Sequence, residues 1–137
     1  MEVIACVDDD YGLMFNKRRQ SRDRIVTDHI LQDSSGRLLY TAEYSAQLFT
    51  EADQSRIIAR PDFLECAGPE DCCFVEDSRL LPYESKIDRI ILYRWNRKYP
   101  ADLYFDIPLT EHGWRLNESI GFPGNSHEKI TREVYCK

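Results

Sequence analysis

At 137 residues the chain is too short for two ordinary domains and long enough to bury about two-thirds of the surface its unfolded form exposes, so a single domain over residues 1–137 is expected. Hydrophobic residues at 42%, charged residues at 31% and only six Gly and six Pro exclude collagen-like and disordered chains, and no apolar run nears the ~20 residues of a membrane span. A formal net charge of −6 argues against bulk binding of nucleic acid, whose affinity rests on neutralised phosphates.

The first element is the apolar run Val-Ile-Ala-Cys-Val at 3–7, a buried strand stopped by three aspartates and Gly12. Lys17, Arg18, Arg19, Arg22 and Arg24 then crowd into eight residues opposed only by Asp23. Ser21 reads as a helix N-cap, with Asp23 in the first turn and Ile25, Val26, His29 and Ile30 on the apolar face of a helix that Gly36 ends. A short strand at 38–40 leads to a second helix capped by Thr41 and burying Tyr44 and Leu48. Next come a strand at 56–59 stopped by Pro61, a helical turn over 62–67, a strand at 72–75 and a short helix around Leu80 and Leu81. The strongest strand spans 87–95. Alternation at 114–116 and 130–135, about a turn at 121–125, reads as an antiparallel hairpin. The sum is an α/β fold: a mostly parallel central sheet, helices on both faces and a C-terminal antiparallel hairpin.

Five cysteines, an odd count with no C-x-x-C, together with no leader-like opening, predict reduced thiols in a cytoplasmic protein. His29, His112 and His127 lie too far apart for a zinc motif, so no metal site is expected.

This order of elements resembles the dihydrofolate reductase family. Residues 3–8 with Tyr11-Gly12-Leu13 resemble its first strand and the glycine after it. Residues 88–94, then Ala101-Asp102-Leu103-Tyr104-Phe105-Asp106, are similar to a later strand and the family's Gly-Asp-Thr-x-Phe-Pro segment. Trp114-Arg115-Leu116 and the stretch from Ser126 to Tyr135 resemble its last two strands. The resemblance implies that Asp23 occupies the place of the carboxylate general acid. It also implies that the backbone of Ala5 faces the pterin and nicotinamide rings, and that Tyr93 replaces a threonine supporting the carboxylate. Its cofactor would be NADPH, but the residues that bind that cofactor are replaced. Thr41-Ala42-Glu43-Tyr44 stands for Gly-Arg-x-Thr, Glu76-Asp77-Ser78 for a Gly-Gly pair, and Arg18-Arg19-Gln20 for Leu-Pro-Trp. Two carboxylates where a diphosphate should lie would repel it.

Asn16, Lys17, Arg18, Arg19, Ser21 and Arg22 form the most unusual stretch, leading from a strand end into a helix where α/β sheets gather ligands. Trp95 with Arg97 offers either a stacking surface or ordinary packing, and His127 either a general acid/base or a turn residue. No local signature pairs a nucleophile with a base. The expected function is binding of a small anionic or heterocyclic ligand, nucleotide or pterin-like, in the cleft after the first strand. The lysine and arginines would meet its charge and Asp23 its ring. Two alternatives stand beside it: an NAD(P)H-dependent reductase with an altered cofactor site, and a non-catalytic RNA or protein interaction module.

Overall fold

The apolar run that opens the chain becomes the strand around which the main sheet is laid in the computed structural model, which describes residues 1–137. In chain order the strands are β1 (Glu2–Val7), β2 (Gly12–Phe15), β3 (Arg18–Arg19), β4 (Leu39–Thr41), β5 (Ile57–Ala59), β6 (Cys72–Phe74), β7 (Arg89–Arg94), β8 (Leu103–Tyr104), β9 (Arg115–Phe122) and β10 (Ile130–Cys136). The helices are α1 (Arg24–Asp33), α2 (Glu43–Ala46) and α3 (Phe63–Cys66). Seven strands pair in the order β5-β4-β6-β1-β7-β10-β9, and three more form a small sheet, β3-β2-β8. The first five strands of the main sheet run parallel, β10 pairs antiparallel to β7, and β9 antiparallel to β10.

Alternation along β1 divides the core. Val3, Ala5 and Val7 face one side with Ile90 and Leu92, and α3 closes that side with Phe63 and Leu64. Ile4 faces the other side with Phe74, Ile91 and Tyr93, where α1 buries Val26 and Ile30. Burial on both faces is why β1 and β7 read as continuous apolar runs instead of alternating ones.

The local boundaries differ from the sequence reading in several places. The cap of α1 is Asp23, not Ser21: its Oδ1 accepts the Ile25 amide at 2.9 Å, and no acidic residue sits in the first turn. Thr41 does not cap α2. It ends β4, and its buried hydroxyl donates to the Phe74 carbonyl at 2.8 Å, so Ala42 precedes the helix without a side-chain cap. The side chains buried there are Ser45 and Phe49, with Tyr44 and Leu48 only half-buried. The turn predicted at 121–125 begins later, because β9 runs on through Gly121 to Phe122. Strands β2, β3 and β8 have four, two and two residues, too few to show a period of two. No helix is long and apolar enough to cross a membrane.

Candidate active site at the start of the first helix

The hairpin β2–β3 turns through Asn16 and Lys17, both at positive φ (52° and 61°), and this re-aims the basic segment. Lys17 and Arg18 are exposed at its tip. Arg19 points inward and forms a two-pronged pair with Glu76, Nε to Oε2 at 2.9 Å and Nη2 to Oε1 at 3.0 Å. Its guanidinium lies over the Tyr44 ring at 4.3 Å, and Ser45 donates to Glu76 Oε1 at 2.7 Å. Gln20 Nε2 donates to Asp8 Oδ2 at 3.0 Å and fixes the chain's return toward α1.

Asp23 uses both oxygens. Oδ1 accepts the amides of Ile25 and Asn125, each at 2.9 Å, while Oδ2 accepts the Ser126 amide at 2.8 Å and meets His127 Nδ1 at 2.9 Å. The carboxylate thereby bolts the start of α1 to the loop between β9 and β10. Gly124 must be a glycine there, since a Cβ would lie 2.6 Å from Oδ2. Burial alone raises the carboxyl pKa, but the hydrogen bonds from Asn125, His127, Ser126 and Ile25 outweigh it and hold Asp23 well below the usual carboxylate range. With its side chain wholly inaccessible, Asp23 turns to this loop and presents no carboxylate to a ring in the cleft.

His127 is likewise enclosed, its side chain 4% exposed. The Trp95 ring stacks on it at 4.7 Å and 25°. Its Nε2 lies 2.9 Å from Ser21 Oγ and 3.4 Å from the Tyr99 hydroxyl. Asp23, His127 and Ser21 therefore form one continuous chain of hydrogen bonds. Its members come from two segments about a hundred residues apart, which is why no local pattern announced them. Tyr99 carries no such signal in the sequence, whereas the polar run Ser126-His127-Glu128 marks the distant segment.

Two neighbouring depressions adjoin this chain. An inner slot is lined by Cys6, Leu13, Ser21, Val26, Trp95 and the Arg19–Glu76 pair, and has about 20 Å³ of free space, room for roughly one water. An outer groove of about 380 Å³ runs between α1, the turn after α2 and the Asn125–Ser126 loop. Arg22, Asp23, Thr27 and Leu48 line both. The exposed guanidiniums of Arg22 and Arg24 border the groove without an ion pair, and Asp28 and Glu51 stand on it as acceptors.

The other expected residues lie elsewhere. The Ala5 side chain packs on the opposite side of the sheet, which bears on its side chain and not on its backbone, and from β1 it is Cys6 that lines the slot. Tyr93 gives its hydroxyl to Asp33, held also by Arg132 at 2.8 Å, so it cannot support Asp23: the two aspartates sit at opposite ends of α1, about 15 Å apart. Arg97 is exposed, and only its carbonyl is used, by the Asp9 amide at 2.9 Å.

At the carboxyl end of β6, where the resemblance puts a glycine pair and a diphosphate, stand buried Val75 and Glu76, the latter neutralised by Arg19. Glu76, paired with Arg19, does not stand free to repel a diphosphate, whereas Asp77 is exposed without an ion pair, and neither position offers the bare backbone of a glycine pair. These residues do not fit NADPH bound in that way.

The sequence matches no family model and no curated protein. The fold is similar to that of a solved dihydrofolate reductase from Enterococcus faecalis complexed with NADP(H) and RAB-propyl, with a TM-score of 0.71 over 98% of this chain and 94% of that one, at 9% identity. At such identity the likeness is one of architecture. The chain has a dihydrofolate reductase-like fold.

Proposed function

We propose that the protein binds a small anionic, heterocyclic ligand of nucleotide or pterin-like chemistry in the groove beside α1. The observation that carries this reading is the outer groove itself. Its volume, about 380 Å³, falls in the range of small-molecule sites, and it shares the walls Arg22, Asp23, Thr27 and Leu48 with the inner slot. Arg22 and Arg24 are free to take a phosphate or carboxylate, and Asp28 and Glu51 to accept from ring amino groups. Arg19 is not part of the recognition surface, because drawing it away would strand Glu76 as a buried charge.

The test is a fluorescence titration with ATP, folate and NADPH in parallel. Trp95 walls the slot and reports binding, whereas Trp114 lies in the core on the opposite face of the sheet. Saturable quenching by ATP or folate, lost in Trp95→Phe and weakened about tenfold in Arg22→Ala, is expected, since one charge-assisted contact contributes about 1.5 kcal/mol or more. No saturable change with any of the three up to millimolar concentration would overturn the reading. Tight binding of NADPH alone would instead return the altered-cofactor reductase.

A further inference from the structure

The geometry points to a nucleophilic serine: we infer that Ser21, His127 and Asp23 form a catalytic triad that cleaves esters of small carboxylic acids. The two contacts needed are present. Asp23 Oδ2 at 2.9 Å from Nδ1 fixes the proton on that nitrogen, which leaves Nε2 as an acceptor for the Ser21 hydroxyl, also at 2.9 Å. Asp23 is itself immobilised by three backbone amides, so the orienting group cannot swing. Trp95 stacked on the imidazole blocks ring rotation and keeps the histidine out of water. Ser21, alone of the three, is half-exposed and faces the slot, where an electrophile can reach it. The triad is recognised by geometry and roles, not by chain order, so Ser21, Asp23, His127 is an admissible sequence.

The reaction balances within the chain and water. Ser21 Oγ attacks the ester carbonyl carbon, forming a C–O bond, as its proton passes to His127 Nε2. Collapse of the tetrahedral intermediate breaks the bond to the alcohol, which leaves with that proton. Water then attacks the acyl-serine, gives a proton to Nε2, and releases the acid as Ser21 takes the proton back. Asp23 remains ionised throughout and stabilises the imidazolium. The slot has about 20 Å³ free beside Leu13, Val26 and Trp95, room for roughly one water, so acyl groups larger than acetyl are excluded. The leaving alcohol would extend past Arg22 into the outer groove. In placing the alcohol, the inference rests on the groove reading above; the serine chemistry does not need it.

The experiment therefore uses neutral probes that ignore the anion site. Folded protein is treated with an alkyl fluorophosphonate and followed by intact mass and peptide mapping, and p-nitrophenyl acetate hydrolysis is measured alongside. One adduct on Ser21, absent from urea-unfolded protein, is expected. Hydrolysis should fall about 100-fold or to the buffer rate in Ser21→Ala and in His127→Gln, the scale of a lost nucleophile or base. The adduct on wild-type protein decides the matter even if a variant folds poorly. No adduct, an adduct on another residue, or hydrolysis unchanged in a folded Ser21→Ala would overturn the inference. A Ser21 adduct without ligand quenching would leave the triad standing and remove the nucleotide or pterin reading.

Discussion

Adjacent arginines 18 and 19 look identical in the sequence and are opposites in the structure. Arg18 is exposed on a two-residue strand with no ion-pair partner, while Arg19 is 15% exposed and holds Glu76, itself 7% exposed, by two hydrogen bonds. Removing one member of a buried pair leaves an unpaired charge, which costs about 3 kcal/mol or more, whereas an exposed charge changes stability by less than about 0.5 kcal/mol. Arg19→Ala is therefore expected to lower the urea midpoint strongly and Arg18→Ala hardly at all. Equal midpoints for the two variants would show that the Arg19–Glu76 pair is not a fixed part of the fold. At this scale the sequence was least legible: charge type is written in it, but which guanidinium meets which carboxylate depends on a partner 57 residues away.

These two arginines are neighbours on β3 of the hairpin β2–β3, whose turn places Asn16 and Lys17 at its tip, outside the linings of the slot and the groove. A two-residue loop with both central residues at positive φ is the primed turn whose twist matches the flanking strands, and Asn-Gly is its preferred pair. Asn16 satisfies the first position. Lys17 at φ 61° has a side chain where glycine is favoured. Lys17→Gly is expected to stabilise the protein by about 0.5–1 kcal/mol, read as a higher urea midpoint with an unchanged slope; a lower midpoint would mean that the lysine makes a contact worth more than the strain. The long strands were legible because burial on both faces writes continuous apolar runs, as in β1 and β7. The short strands and the two misplaced caps were not. Two to four residues carry no period, and Asp23 became the cap because its carboxylate answers amides from a distant loop as well as from its own helix.

The cysteines of the seven-stranded sheet and of α3 lie at graded depths, and that gradient tests whether the sheet opens as one unit. Cys66, at the end of α3, is exposed; Cys6 and Cys136 are half-buried; Cys72 and Cys73 are wholly enclosed in β6 between β4 and β1. Burial pushes the Cys72 and Cys73 thiols up to about 12, so even a reagent that reached them at pH 8 would find almost no thiolate. Iodoacetamide should accordingly label Cys66 first. Cys72 and Cys73 should react only through unfolding of the sheet, together and at least 1,000-fold more slowly, since a domain with about 5 kcal/mol of stability opens less than once in a thousand. If β5, β4 and β6 peeled away as a separate unit, Cys72 and Cys73 would label faster than the global unfolding seen by fluorescence of Trp95, which is packed on the α1 side beyond β7. Coincident rates mean that the platform holding the Ser21–His127–Asp23 chain is one cooperative body, in which the two loops that build the site stay aligned until everything is lost.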